Sequence, residues 1–214
     1  MGIDPGLNCT GYGVVDRLPD GRCRLVEAGA VRTAASAALE TRLRVLYDGI
    51  CEALDDLHPE VVIVESLYSK YSHPRTAILM GHARGVIYLA AQERGMQVEA
   101  YPASQVKRAL TGAGRADKEQ VAEMVCRMLA LPEIPRPHDV TDALALALCH
   151  ATPQRFGEPY PLTPSLKGGG IKLAATRGPS RGRSLAASAP LLPTSDLRAS
   201  ARARLSTSPP EVRP

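Results

Sequence analysis

Four carboxylates in this chain stand where predicted core segments begin or end. Asp4 follows a short apolar lead and precedes Pro5-Gly6, and Glu65 closes the β-branched run at 61–64. Asp139 and Asp142 lie three apart at the start of an apolar helical segment. Residues three apart on a helix share a face, so both carboxylates can point one way. The helix dipole also favours negative charge in that first turn.

Gathered together, these carboxylates would repel one another unless cations neutralised them. Hard divalent cations prefer oxygen ligands, and Mg²⁺ suits carboxylates combined with substrate phosphate. Two such ions about 3.5–4 Å apart can activate water, hold a phosphodiester and stabilise the leaving 3′-oxygen. The pattern therefore predicts metal-dependent phosphodiester hydrolysis, with Asp4, Glu65, Asp139 and Asp142 as metal ligands and catalytic residues.

Each acid alone also has a structural explanation. Asp4 with Pro5-Gly6 is compatible with a plain turn, and Glu65 with an ion pair at a strand end. Asp139 is compatible with a helix N-cap, a position where Asp is common. The chemical hypothesis rests on all four acids together, because the first strand and the strand ending at Glu65 can be neighbours in one sheet, with the last helix crossing their ends.

The elements that must position these acids follow from the spacing of apolar residues. Alternating or β-branched runs predict strands near 2–4, 10–15, 24–31, 61–64 and 98–101. Apolar residues at helical spacing predict helices at 41–57, 74–94, 103–110, 117–131 and 139–150. A three-strand meander followed by alternating helices and strands indicates an α/β fold with a mixed five-stranded sheet flanked by helices.

Composition divides the chain into a folded domain at 1–152 and a tail at 153–214. Ten of the 18 prolines lie after His150, together with ten of the 26 basic and three of the 22 acidic residues. That segment carries a net charge of +7, against −3 upstream. With so few large apolar residues, it cannot offset the entropy lost on ordering, which predicts a disordered tail. A basic tail favours polyanions such as nucleic acid, although a solvated tail without a partner is an equal alternative.

Cysteine usage and hydropathy indicate a cytoplasmic protein. The five cysteines are odd in number and show no C-x-x-C spacing, so neither a zinc site nor a disulfide framework is predicted. No apolar run approaches the roughly 20 residues of a membrane span, and no signal peptide is evident.

The ordered motifs of residues 2–150 resemble the RuvC family of bacterial Holliday-junction resolvases. The resemblance rests on Gly-Ile-Asp-Pro-Gly at 2–6 with Gly-Tyr-Gly-Val at 11–14, Val-Glu at 64–65, Gly-His-Ala-Arg-Gly-Val at 81–86, Gln-Val-Lys at 105–107 and Asp-Val-Thr-Asp-Ala-Leu-Ala at 139–145. It implies a ribonuclease-H-like fold and a homodimer that nicks two strands of a four-way junction symmetrically in recombination and repair. It also implies Mg²⁺, two ions per subunit with Mn²⁺ as a substitute, bound by the four acids.

The resemblance further implies DNA contacts and partner proteins. Lys107 and Lys118 resemble basic residues that meet the DNA backbone, and Tyr68 resembles a loop aromatic that stacks on bases near the crossover. The plain alternatives are solvated lysines and a tyrosine packed on the rim of the sheet. Some relatives have His where Asp139 aligns, so His138 is a possible accessory base or phosphate contact. RuvA and RuvB branch-migration proteins are implied as partners.

The first strand departs from the family pattern. Relatives have several apolar residues before the matching Gly-Ile-Asp-Pro-Gly, whereas Asp4 here follows only three residues. Either the strand is short or the chain starts further upstream, and the placement of Asp4 is the property that this affects.

Two other functions are compatible with parts of the sequence. A Gly-Ile-Asp-x-Gly turn before a hairpin also opens actin-like ATPases, but those need two such domains and well over 300 residues. A non-cleaving junction-binding protein is the other alternative, and it predicts that some of the four carboxylates are missing.

Overall fold

A computed structural model describes residues 1–66, 74–152 and 202–206. The strands, in chain order, are β1 (Gly2–Asp4), β2 (Cys9–Arg17), β3 (Cys23–Arg32), β4 (Val61–Glu65), β5 (Gln97–Tyr101) and β6 (Arg202–Ser206). The helices are α1 (Leu39–Leu57), α2 (Pro74–Gln92), α3 (Ala103–Thr111), α4 (Lys118–Leu129) and α5 (His138–Ala151). Apart from β6, every element was predicted, with ends within about two residues.

The strands form one mixed sheet in the order β5-β4-β1-β2-β3-β6. β1, β2 and β3 are an antiparallel meander, while β4 and β5 run parallel to β1. The predicted mixed five-stranded sheet flanked by helices is therefore confirmed. This topology places β1 and β4 side by side, so the residues at their carboxyl ends meet at one edge of the sheet.

A sixth strand extends this sheet beyond the prediction. β6 pairs antiparallel with β3, with Arg202 opposite Val31 and Ser206 opposite Glu27. These five residues lie within the predicted tail, and local composition did not report their pairing with a distant strand edge. The rest of the tail lies outside the described residues, so its predicted disorder stays a prediction.

Helices cover both faces of the sheet. One buried cluster, which includes Ile63 and Leu144, packs between the sheet and α3, α4 and α5. The other, which includes Ile3 and Val64, packs between the sheet and α1 and α2. Among the described residues, no helix combines the length and apolar character that crossing a lipid bilayer requires.

The first strand is short but held on both edges. Gly2 and Ile3 pair with β2 on one side and with β4 on the other. The Met1 ammonium donates a hydrogen bond to the Val61 carbonyl at 2.9 Å, and the Ile63 amide donates to the Met1 carbonyl at 2.7 Å. Ile3 is fully buried. The backbone that carries Asp4 is therefore well anchored despite its length.

Glycines on β1 and β2 let α5 approach the sheet closely. A Cβ on Gly11 would lie 2.0 Å from the carbonyl oxygen of Asp139, and one on Gly2 would lie 2.1 Å from that of Ala143. Gly13 faces the side chain of Leu144 in the same way. Real Cβ atoms do not approach backbone so closely, so the backbone of α5 occupies the space that side chains at these positions would need.

We expect Gly11→Ala to destabilise the protein by about 2–3 kcal/mol or more, because the added methyl meets helix backbone that cannot turn aside. The free energy of unfolding from urea denaturation measures this effect. Gly114→Ala is the matched control, since its Cβ would meet its nearest neighbour at an ordinary 3.4 Å. Equal stability of the two variants would contradict the proposed close approach of α5.

Candidate active site

Asp4 and Glu65 project from neighbouring strands onto the same face of the sheet. Ile3 pairs with Val64 in parallel register, so the residues that follow them, Asp4 and Glu65, end adjacent strands. Ile3 and Val64 belong to the core under α1 and α2. Side chains alternate along a strand, so Asp4 and Glu65 point to the opposite face, the one that α5 covers.

Asp142 reaches the same place from α5. Together with Asp4 and Glu65 it lines a cleft of about 110 Å³, room for roughly three or four waters at liquid density. Lys107 and Lys118 complete the charged lining. The remaining wall is apolar and comes from α3, α4 and α5: Ala103, Val106, Val121, Ala145 and Leu146.

The electrostatics of the cleft are those of crowded carboxylates. Burial, followed by the charges of Glu65, Asp142 and Asp139, raises the pKa of Asp4 to about 8. Burial and Asp142 also raise the pKa of Glu65, against the lowering effect of Lys118. The Lys118 ammonium lies 3.1 Å from Oδ2 of Asp142, and this bond and charge raise the pKa of Lys118. Lys118 thus partly neutralises the cluster.

Asp139 lies to one side of this group. It occupies the first turn of α5 and, of the described residues, it is not among those that line the cleft. The pKa of the nearby Cys9 thiol is raised to about 11, first by burial and then by the charge of Asp139. Cys9 is therefore a neutral thiol at physiological pH. The charge of Asp139 nevertheless contributes to the raised pKa of Asp4.

The other predicted site residues differ in their placement. His138 is exposed at the start of α5, where its Nε2 lies 2.5 Å from Nη1 of Arg136, outside the cleft lining. Lys107 lines the cleft, but its Nζ donates to the Ala116 carbonyl at 2.6 Å. Tyr68 lies outside the described residues.

The donor set fits a hard divalent cation, since three carboxylates supply oxygen ligands at one cleft. Within residues 1–66, 74–152 and 202–206, however, no three acidic, His or Cys side chains are close enough together to hold one ion. Burial, and after it the charges of the neighbouring carboxylates, raises the pKa values of Asp4 and Glu65. The mutual repulsion of these carboxylates opposes closer approach. Cation binding would relieve that repulsion and draw the carboxylates inward.

Sequence reasoning missed two residues near the acids. Arg84 is buried on α2, and its charge lowers the pKa of Glu65. It belongs to the motif at 81–86, which carried no assigned role. Cys9 stands two residues before Gly11 on β2, and strand alternation was the signal that could have placed it beside α5.

We expect the metal-free protein to lose stability as pH rises from 5 to 8.5, relative to Asp4→Asn. Because the folded-state pKa of Asp4 is raised from 3.8 to about 8, the folded state holds its proton more tightly than the unfolded state. That stabilisation is complete below about pH 4 and is lost as pH rises through 8. The difference is on the order of a few kcal/mol.

Urea denaturation in the presence of a chelator, at each pH, measures this difference. The Met1 ammonium, whose pKa is lowered by burial to about 6, titrates in both proteins and cancels in the comparison. Parallel stability profiles for the wild type and Asp4→Asn would show that the Asp4 carboxyl is not perturbed.

Known proteins match the described domain closely. The family model for "Crossover junction endodeoxyribonuclease RuvC" matches residues 1–150. The RuvC of Parafrankia sp. (strain EAN1pec) is 49% identical over 150 residues, which cover 70% of this chain and 84% of that protein. The RuvC of Frankia alni is 50% identical over 150 residues, covering 70% of this chain and 76% of the relative.

Solved structures agree with the sequence relatives. The Thermus thermophilus RuvC structure superposes with a TM-score of 0.65 at 41% identity, covering 70% of this chain and 91% of that one. T. thermophilus RuvC in complex with Holliday junction substrate gives a TM-score of 0.64 at 38% identity. The match covers 70% of this chain and 90% of that one. These matches span the strands and helices that form the cleft, and the chain therefore belongs to the RuvC family of crossover junction endodeoxyribonucleases.

Proposed function

We propose that this protein resolves four-way DNA junctions by symmetric hydrolysis of phosphodiester bonds in two strands, with two Mg²⁺ ions per subunit and Mn²⁺ as a substitute. The observation that carries the proposal is the meeting of Asp4, Glu65 and Asp142 in one cleft beside Lys118. Family membership supports it, since the RuvC family is one of metal-dependent nucleases and a relative was solved with Holliday junction substrate.

In this proposal the carboxylates of Asp4, Glu65, Asp139 and Asp142 hold the metal. When bound, the ions supply water activation and neutralise charge at the leaving 3′-oxygen. Asp4 would release its proton to solvent on cation binding, because a nearby positive charge lowers the pKa of a carboxyl. Asp139 would turn from Cys9 toward the cleft. Asp142 would exchange part of its pairing with Lys118 for the cation.

The apolar wall of the cleft would strengthen the electrostatic interactions that the proposed hydrolysis needs. Val106, Val121 and Leu146 contribute hydrocarbon to the lining of the cleft beside the charged groups. Excluding water there lowers the local dielectric, so attraction between the cleft charges and a phosphate is stronger than it would be in water. The wall also limits where a scissile phosphate can rest.

Lys107 and Lys118 are the proposed contacts to the DNA backbone. The Lys118 side chain is 72% exposed, so a phosphate can compete with Asp142 for its ammonium. Lys107 is half-buried and hydrogen-bonded to the Ala116 carbonyl, so it contributes positive charge from a fixed position in the lining of the cleft. Tyr68 remains the proposed stacking residue. Backbone contacts of this kind position DNA without reading its sequence.

The outer face of α2 supports the proposed homodimer. Ile78 and Leu89 are 60% and 52% exposed, unusual for large apolar side chains. Gly81 and Gly85 lie between them on the same side of the helix, and a Cβ on either would meet open space. Small residues let a second helix approach closely, and two copies of this stripe are self-complementary across a two-fold axis. Symmetric nicking requires such a pair of sites.

Other parts of the hypothesis rest on resemblance alone. Partnership with RuvA and RuvB is one, and the cytoplasmic location expected from cysteine usage stays a prediction. The actin-like ATPase alternative does not agree with membership of a nuclease family. The non-cleaving alternative predicts missing carboxylates, whereas all four acids are present.

We expect Asp142→Asn to lower cleavage of a synthetic four-way junction by about two orders of magnitude or more, because it removes a charge needed for metal binding without changing side-chain size. Denaturing gels with end-labelled strands measure nicking in Mg²⁺, with EDTA as the control, and gel shifts in EDTA measure binding. Junction affinity should be retained, since metal chemistry and backbone contacts use different residues.

Asp16→Asn is the matched control, because Asp16 is exposed and paired with Arg24 on the hairpin. It should cut normally. Wild-type protein that shifts the junction but leaves it uncut in Mg²⁺ would exclude the nuclease function. Loss of both binding and cutting in Asp142→Asn would argue for a structural role of this residue.

We expect Leu89→Glu to convert a dimer into a monomer, because a charge on this apolar stripe would be buried without a partner. Sedimentation velocity over a concentration series should show the dimer dissociation constant rising by about 100-fold or more. Thr41→Glu, on the exposed side of α1, should leave the dimer intact. A wild-type monomer at all concentrations would refute the proposed dimer.

A further inference from the structure

The apolar run of α5 holds this helix against the sheet but resists sliding along it less firmly. Every residue between Asp142 and His150 is apolar and buried, with Ala and Leu alternating over 143–148. Burial of such surface is non-directional, so it favours contact without selecting one position along the helix axis. Gly2 and Gly11 set only the distance between helix and sheet. A directional contact with the sheet would fix the axial position.

Such a contact joins the last turn of α5 to β5. The Tyr101 hydroxyl donates a hydrogen bond to Oε2 of Glu99 at 2.8 Å and lies 3.0 Å from Nδ1 of His150. Nδ1 of His150 is also 3.2 Å from the same carboxylate oxygen. An ionised carboxylate can only accept and the phenol has a single proton, so Nδ1 carries a proton and donates it. The three side chains therefore form one hydrogen-bonded cluster.

This cluster lies largely out of reach of water. Tyr101 is 2% exposed, and the Glu99 side chain is 16% exposed. Hydrogen bonds in such surroundings are stronger than those at the surface, because water competes with them less. Burial, followed by the hydrogen bond to Glu99, raises the pKa of Tyr101 above its ordinary value. The phenol therefore keeps its proton and its hydrogen bond throughout the neutral pH range.

Tyr101 also holds the backbone beside Glu65. The two residues are partners in the parallel pairing of β4 with β5. The amide of Ser66, which directly follows Glu65, donates to the Tyr101 carbonyl at 2.8 Å. Tyr101 thus contacts the end of the Glu65 strand through its backbone, and the helix that carries Asp142 through its side chain. His150 and Asp142 lie about 12 Å apart along that helix.

We propose that Tyr101 is a positioning residue that sets the place of Asp142 relative to Glu65 across the cleft. Its hydroxyl fixes α5 along the helix axis by way of His150, while its backbone fixes the end of β4. The inference rests on the proposed role of the two carboxylates as metal ligands. Without the hydroxyl, α5 can shift along the sheet while keeping its apolar contacts, and the separation of the two carboxylates is no longer fixed.

Tyr101→Phe removes the hydroxyl and keeps the ring. We expect it to weaken Mn²⁺ binding to the full chain by about fivefold, less than the roughly 10-fold lost with groups that bond a metal ligand directly. Cleavage of a four-way junction in Mg²⁺ should fall by about 10-fold, because small displacements of reacting groups are costly. Electron paramagnetic resonance of free Mn²⁺ measures affinity without DNA, and denaturing gels measure cleavage.

Tyr12→Phe is the matched control. Tyr12 is also fully buried and its hydroxyl donates to Oε1 of Glu27 at 2.8 Å, but it lies in the core under α1 and α2, on the face away from the cleft. Both variants lose a buried hydroxyl bonded to a carboxylate, so urea denaturation should show losses of stability of the same order. Tyr12→Phe should nevertheless bind Mn²⁺ and cut normally. Equal losses of Mn²⁺ affinity in the two variants would overturn the positioning role.

A second pair of variants tests the link to α5. Asn and Leu are similar in size, but the Asn amide can replace Nδ1 of His150 as a donor, whereas Leu forms no hydrogen bond. We expect His150→Leu to lose as much Mn²⁺ affinity as Tyr101→Phe, and His150→Asn to stay within about twofold of the wild type. Equal affinity in the two His150 variants would refute the link. This pair replaces Tyr101→Phe if that variant is too unstable to titrate.

Failure of this inference is distinguishable from failure of the proposed function. Wild-type protein that binds no Mn²⁺ and leaves the junction uncut would overturn the proposed function, and this inference with it. Wild-type protein that binds Mn²⁺ and cuts, with Tyr101→Phe equal to it in both respects, would overturn only the positioning role of Tyr101.

Discussion

The close approach of α5 to β1 and β2 is the constraint on which the site depends. Asp4 and Glu65 are fixed by the sheet, whereas Asp139 and Asp142 are fixed by the helix, so the distance between helix and sheet sets the geometry of the carboxylates. Gly2 and Gly11 set that distance, since any side chain there would meet helix backbone at about 2 Å. The glycines of the first two strands are thus as much part of the site as the acids.

The carboxylate cluster lowers the stability of the fold that positions it. A buried carboxyl beside three others raises the free energy of the charged form, which is why the pKa of Asp4 rises to about 8. Lys118 offsets part of this repulsion through its ion pair with Asp142, and that pair is exposed enough to exchange. The apolar clusters on both sides of the sheet supply the stability that lets the repulsion persist. In the proposed function, a bound cation would relieve this repulsion and draw the carboxylates together.

Local patterns predicted the parts of the site that strands determine. Glu65 ends an unbroken β-branched run and Asp4 precedes a turn, so their positions at strand ends followed from sequence, and topology brought them together. Sequence patterns did not predict the orientation of Asp139, the pairing of Lys118 with Asp142 or the pairing of β6 with β3. Each depends on contacts between segments far apart in the chain, and neither periodicity nor composition reports such contacts.

Helix geometry gives the two acids of one motif, Asp139 and Asp142, different directions. Residues three apart share a helix face, but they are turned from each other by about 60°. On α5 this turn is enough to direct Asp142 into the cleft beside Lys118 and Asp139 toward Cys9 on β2. The two acids therefore have different neighbours and different constraints. Asp142 is paired with the exposed ammonium of Lys118, whereas Asp139 lies near a neutral thiol. In the proposed function, substrate and metal would therefore act on the two acids by separate routes.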